Sequence, residues 1–187
     1  MPLTDQPSKD MYLEIDGKIF YVLERKLKTQ GRQGGLIILK MKALDTGASS
    51  TQTIKAGTKM EQIIPETKEA QYLYSDDDNV FFMDSESFET LTISKAVVGN
   101  YVNFLKEGGK NLVMIHEEKV ISVRQNPTVE LKVTESVDAV KGNTANAATK
   151  TVTLETGYKV NVPLFVKTGD MITVNTERGE YSGRVNQ

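Results

Sequence analysis

The sequence contains no cysteine and no tryptophan, and only one histidine. Without cysteine there is no disulfide scaffold, no thiol nucleophile and no thiolate metal site. No stretch approaches the ~18 uninterrupted apolar residues of a membrane-spanning helix. The polar start, Met1-Pro2-Leu3-Thr4-Asp5-Gln6-Pro7, lacks the basic-then-apolar order of a secretion signal. The expectation is a soluble, cytoplasmic chain with no membrane partner. His116 stands beside Glu117 and Glu118 and reads as a surface residue at a strand turn, because a metal site needs several ligands at suitable spacing. The run Asp76-Asp77-Asp78-Asn79 lacks the alternating ligands and terminal glutamate of a calcium loop and reads as a solvated turn. No phosphate-binding loop, dinucleotide fingerprint or nucleophile elbow occurs. No catalytic residue, metal or cofactor is therefore expected, and the chain does not read as an enzyme.

What is present is strand signal along the whole length. Tyr12–Ile15 and Ile19–Leu23 flank Asp16-Gly17, a dipeptide suited to a tight hairpin because Gly accepts positive φ. Leu36–Met41 is followed by the turn Leu44-Asp45-Thr46-Gly47, and Thr51–Lys55 alternates with period two. A second unit runs through Glu69–Tyr74, Val80–Met83 and Glu89–Ile93, a short helix at Ala96–Leu105, and a hairpin of Asn111–Ile115 with Val120–Val123. A third unit begins at Pro127 and carries Val129–Val133, Thr151–Leu154, Lys159–Pro163, Met171–Val174 and a final Tyr181 segment. Short strands with turns about every ten residues predict barrels or sandwiches, and the second and third units suit oligonucleotide-binding (OB) barrels. The fold class is all-β, divided at 1–65, 66–126 and 127–187.

The net charge of −2 argues at first against a nucleic-acid partner, but its distribution is uneven. Residues 1–65 hold ten Lys/Arg against seven Asp/Glu, a net of +3. Residues 66–126 hold six against eleven, a net of −5, and residues 127–187 hold seven of each. Such asymmetry separates an interaction end from a non-interacting body.

Two loops carry recognition chemistry. Arg25-Lys26-Leu27-Lys28-Thr29-Gln30-Gly31-Arg32-Gln33-Gly34-Gly35 places four cations within eight residues, read as lying between two strands. Glycines 31, 34 and 35 leave no apolar side chain to pin the tip and allow close backbone approach to a ligand. A guanidinium at Arg32 would offer phosphate and base contacts a planar, permanently charged fork of donors. An ordinary hairpin loop is the alternative. The second loop, Lys141–Lys150, is rich in small amide- and hydroxyl-bearing residues between two lysines. It fits either hydrogen bonding to nucleic acid or a plain connection.

These loops, in this order within this strand pattern, resemble bacterial elongation factor P over nearly the whole chain. The likeness is strongest at Thr153-Leu154-Glu155-Thr156-Gly157, Val162-Pro163-Leu164-Phe165 and Gly179-Glu180-Tyr181-Ser182-Gly183-Arg184. Gln71–Tyr74, Phe82-Met83-Asp84 and Leu44–Gly47 match the earlier domains. The resemblance implies a KOW/SH3-like barrel followed by two OB barrels in a tRNA-like L shape. Its partners would be the 70S ribosome, through rRNA and ribosomal proteins, and P-site peptidyl-tRNA, especially prolyl-tRNA. A monomer bound between the P and E sites would relieve stalling at consecutive prolines.

The resemblance implies that Lys28, Thr29, Gln30, Gly31, Arg32, Gln33 and Gly34 would form a loop reaching the peptidyl-transferase centre. Arg32 falls on the residue that many members modify, and if it is modified here the resemblance implies an arginine-modifying enzyme as a further partner. Thr29, Gln30 and Gln33 stand where lysine, proline and glycine are common, so the sequence leaves the modification open. Gly142-Asn143-Thr144 matches a Gly-Asp-Thr motif for E-site and small-subunit contacts, with Asn for Asp. Tyr181 and Arg184 are C-terminal candidates for RNA contact. A paralogous branch without a role at polyproline, and a general RNA-binding OB protein, are the other readings. The second would favour exposed aromatics in basic grooves.

Overall fold

The computed structural model describes residues 2–29, 35–136 and 149–185. Among these it is nearly all β, with three antiparallel sheets and one short α-helix. The first sheet contains β1 (Leu3–Thr4), β2 (Tyr12–Ile15), β3 (Lys18–Thr29), β4 (Gly35–Ala43), β5 (Ser49–Lys55) and β6 (Met60–Ile63), in the order β1-β6-β2-β3-β4-β5. Asp16 and Gly17 both take positive φ, 52° and 74°, between the paired residues Ile15 and Lys18. Two left-handed residues in a two-residue loop match the right-handed twist of the flanking strands, which is why Asp-Gly closes this hairpin. Leu13, Val22, Ile37, Leu39, Met41 and Met60 form the core beneath the sheet.

The second sheet contains β7 (Glu66–Ser75), β8 (Asn79–Asp84), β9 (Thr90–Ser94), β10 (Lys110–His116) and β11 (Lys119–Val123), ordered β11-β10-β7-β8-β9. Its edge strands β9 and β11 approach each other and nearly close a barrel around Ala70, Val80, Phe82 and Val113. The third contains β12 (Thr128–Ser136), β13 (Thr149–Leu154), β14 (Lys159–Pro163), β15 (Met171–Asn175) and β16 (Glu180–Arg184), ordered β14-β13-β12-β15-β16. Here β14 and β16 approach, and Leu131, Val133, Leu154 and Ile172 fill the interior.

Two local expectations need correction. The helix expected at Ala96–Leu105 is a four-residue α1 (Lys95–Val98) followed by a 3-10 turn at Gly99–Phe104. Ser94 caps α1 by accepting a hydrogen bond from the Ala96 amide, and Gly99 ends it at φ 65°. That conformation suits glycine and interrupts the α-helical hydrogen bonding. The stretch Arg25–Thr29, expected as loop, belongs to β3 and pairs with Gly35–Leu39 of β4. The ladder therefore runs farther than local propensity suggests, because cross-strand pairing can retain lysines on a solvated face.

The chain forms two compact units, residues 1–99 with 110–123 and residues 100–109 with 124–187. In the second unit, the Tyr101 hydroxyl accepts from the Asn126 amide at 3.3 Å, and Phe104 meets Tyr158 edge-on at 4.9 Å. Lys106 pairs with Glu155 at 2.9 Å, and the Lys132 amide donates to the same carboxylate at 3.0 Å. Burial pushes the Glu155 carboxyl up, but the Lys106 hydrogen bond and the Lys132 amide outweigh it and hold the group below its usual range.

Candidate nucleic-acid interface

The arm formed by β3, β4 and β5 presents the chain's basic segment. Directly paired residues of an antiparallel sheet share a face, and residues two apart along a strand return to it. One row is Lys28, Leu36 and Lys55; the next is Lys26, Ile38 and Thr53; the third is Glu24, Lys40 and Thr51. Four lysines thus stand on one face against the single carboxylate of Glu24, which pairs with Lys26 at 3.0 Å between exposed side chains. Such a pair contributes little in water, so the face remains cationic around Leu36 and Ile38.

A β-bulge between Val22 and Glu24 decides this arrangement. Strict alternation from the buried Val22 would turn Glu24, Lys26 and Lys28 toward the core. The extra residue, Leu23, reverses the phase, because two residues then oppose one on the partner strand. Arg25 and Leu27 instead share the face of the buried Leu39 and Ile37. The Arg25-Lys26-Lys28 cluster is therefore split, with Arg25 facing away from the two lysines. Lys40 and Lys55 join that basic face without having been among the residues expected to bind. The alternations of Lys40-Met41-Lys42 and of Thr51–Lys55 were their local signals, and cross-strand register supplied the rest.

The last described pair of the arm is Thr29 with Gly35. A Cβ on Gly35 would come within 3.2 Å of the Leu27 side chain, so glycine gives Leu27 room at this point. The predicted tip, Gln30, Gly31, Arg32, Gln33 and Gly34, lies outside the described residues, as do Gly142, Asn143 and Thr144. Lys28 is exposed on the arm. Tyr181 is half-buried on β16, paired with Val174, and Arg184 lies 3.7 Å from Asp170. A phosphate at Arg184 would compete with that carboxylate.

The remaining candidates behave as turn residues. Asp76 accepts the amides of Asp78 at 2.9 Å and Asn79 at 2.6 Å, which hold its carboxyl below the usual range. His116 ends β10 with Glu117 at 3.9 Å. Among the described residues, no group of three or more His, Cys, Asp or Glu side chains is placed to hold a metal ion. No helix among them is long and apolar enough to cross a membrane. Asp84 is buried; Glu86 and Ser87 amides donate to one oxygen, while Lys68 lies 3.5 Å from the other. These partners make it a structural anchor of the β8–β9 turn.

Comparison with known proteins gives a consistent result along the chain. Residues 7–60 match the elongation factor P (EF-P) KOW-like domain, residues 65–123 the elongation factor P (EF-P) OB domain, and residues 129–184 the domain described as elongation factor P, C-terminal. Among solved structures, the chain is similar to eukaryotic translation initiation factor 5A from Methanococcus jannaschii, with 18% identity and a TM-score of 0.48. That match covers 66% of this chain and 94% of the other. A translation initiation factor eif-5a family protein from Naegleria fowleri ATCC 30863 matches at 16% identity and a TM-score of 0.42, covering 66% and 97%. With all three domain models matched in order and in register with the three sheets, the chain belongs to the elongation factor P family and is a translation elongation factor.

Proposed function

We propose that this factor binds the ribosome between the P and E sites and promotes peptide-bond formation where consecutive prolines stall it. The observation that carries this reading is the lysine face of β3–β5, whose strands lead to Thr29 and Gly35 on either side of residues 30–34. Lys26, Lys28, Lys40 and Lys55 neutralise phosphates along the peptidyl-tRNA or rRNA backbone, an attraction that is strong and indifferent to sequence. Arg32, which follows β3 in the sequence, is assigned to the acceptor end, where its fork of donors orients the tRNA and nascent chain. Holding the reactants in alignment reduces the entropy lost on the way to the transition state. The factor supplies no acid or base and needs no cofactor; the peptidyl transfer remains the ribosome's own.

The three domains are assigned to 1–65, 66–126 and 127–187. Gly142-Asn143-Thr144 serves the E-site and small-subunit side, where Asn143 keeps an acceptor oxygen and adds donors while losing charge. Tyr181 and Arg184 add a C-terminal RNA contact. The factor works as a cytoplasmic monomer, and a modified Arg32 would add an arginine-modifying enzyme to its partners. Replacing Arg32→Ala should leave the circular dichroism spectrum and melting curve unchanged while abolishing rescue of a polyproline template in reconstituted translation. Undiminished rescue by that variant would overturn the role given to the tip.

A further inference from the structure

The far end of β4 meets the second sheet at a joint made of main chain and one half-buried cation. Lys42 Nζ donates to the Val97 carbonyl at 2.5 Å. That carbonyl belongs to the last turn of α1, where main-chain acceptors lack partners within the helix. Five residues after Lys42, Gly47 at φ 72° brings the β4–β5 turn against the same helix: a Cβ there would lie 2.3 Å from the Ala96 carbonyl oxygen. No rotamer change relieves a clash with backbone, so only glycine permits this approach. A third contact joins the sheets where the Tyr12 phenol shares a hydrogen bond with the Ser122 side chain. Burial also pushes the Lys42 ammonium pKa down, as expected where protein has replaced part of its water.

We propose that Lys42 is a positioning residue, clamping the hairpin-bearing sheet to α1 of the second sheet so that the far end of the arm is held in one orientation. Lys42 and Gly35 lie at opposite ends of β4, a span of about 23 Å at ~3.3 Å per residue. A rotation of about 5° at the joint would displace the arm's end by roughly 2 Å over that strand length, enough to misalign reacting groups. What the clamp is for rests on the function proposed above; the clamp itself does not.

Because the chain has no cysteine, spin labels can be placed uniquely at Thr53→Cys on β5 and Thr92→Cys on β9, both exposed. The pulsed-resonance distance distribution between them should be narrow in the parent, broad in Lys42→Met and Gly47→Ala, and narrow again in Lys42→Arg, which keeps a donor. Distributions as narrow as the parent's in the folded Lys42→Met and Gly47→Ala variants overturn the proposal. If Lys42→Met fails to fold, Lys42→Gln, uncharged and one bond shorter, is measured in its place, and a distribution as narrow as the parent's again overturns the proposal. Without labels, Lys42→Met should lower maximal stimulation of polyproline synthesis several-fold while changing the half-saturating concentration less than twofold. An equal change in both quantities overturns positioning. Broad distributions alongside undiminished rescue by Arg32→Ala would leave the clamp standing and remove the function assigned to the tip.

Discussion

Lys28 and Lys55 stand on either side of Leu36 in one cross-strand row, although they belong to different strands and neither pairs with the other. The row joins the cationic stretch of β3 to the end of β5 and makes a face from residues dispersed along the chain. Arg25, only three positions before Lys28, faces the other way.

That division has a measurable consequence for binding. Replacing Lys28, Lys40 or Lys55 by Gln should weaken ribosome binding and reduce the slope of log affinity against log salt by about 0.7–0.9 for each phosphate no longer neutralised. Arg25→Gln should change the slope less, because its side chain is on the other face. Affinity titrations across a salt series distinguish the faces; equal slope changes for Arg25 and Lys28 would refute the two-faced arm.

The ion pair of Lys106 and Glu155 predicts an acid-sensitive stability. The folded-state carboxyl lies below its ordinary value of 4.5. Its contribution is therefore present above the unfolded-state pKa and disappears as pH falls through the folded-state value. Glu155→Gln should cost about 1–2 kcal/mol at neutral pH, through removal of a charge-assisted hydrogen bond. Urea unfolding of both proteins should show this difference shrinking as the medium is acidified through the carboxylate range.

Phe88 predicts a gain rather than a loss. It takes φ 61° while its side chain is 71% exposed, so a bulky residue occupies a left-handed position with little burial in return. The Phe88 amide donates to the Asp84 carbonyl at 3.0 Å, which fixes the turn through main chain that glycine would retain. Phe88→Gly should stabilise the protein by about 0.5–1 kcal/mol, relief of strain exceeding the greater unfolded-state entropy of glycine. Thermal melts of the pair would reveal it, and a lower melting temperature would show that the exposed ring contributes more than the backbone strain costs.

Much of this molecule was determined by the sequence itself. Asp16-Gly17 calls for positive φ at both positions and therefore for a hairpin, and alternating apolar residues such as Val80 and Phe82 require a sheet with one buried face. The family motifs were likewise legible in the chain, since they are local strings in register with those strands. Tertiary structure decided which cations act together. A bulge at Leu23 is a property of the pairing between β3 and β4, and it alone sends Lys26 and Lys28 outward to meet Lys40 and Lys55. The same holds for Lys42 and Gly47, whose partners on α1 are some fifty residues away and cannot be inferred from their neighbours. Period and turn chemistry are encoded locally, whereas phase and contact depend on the strand or helix that arrives from elsewhere.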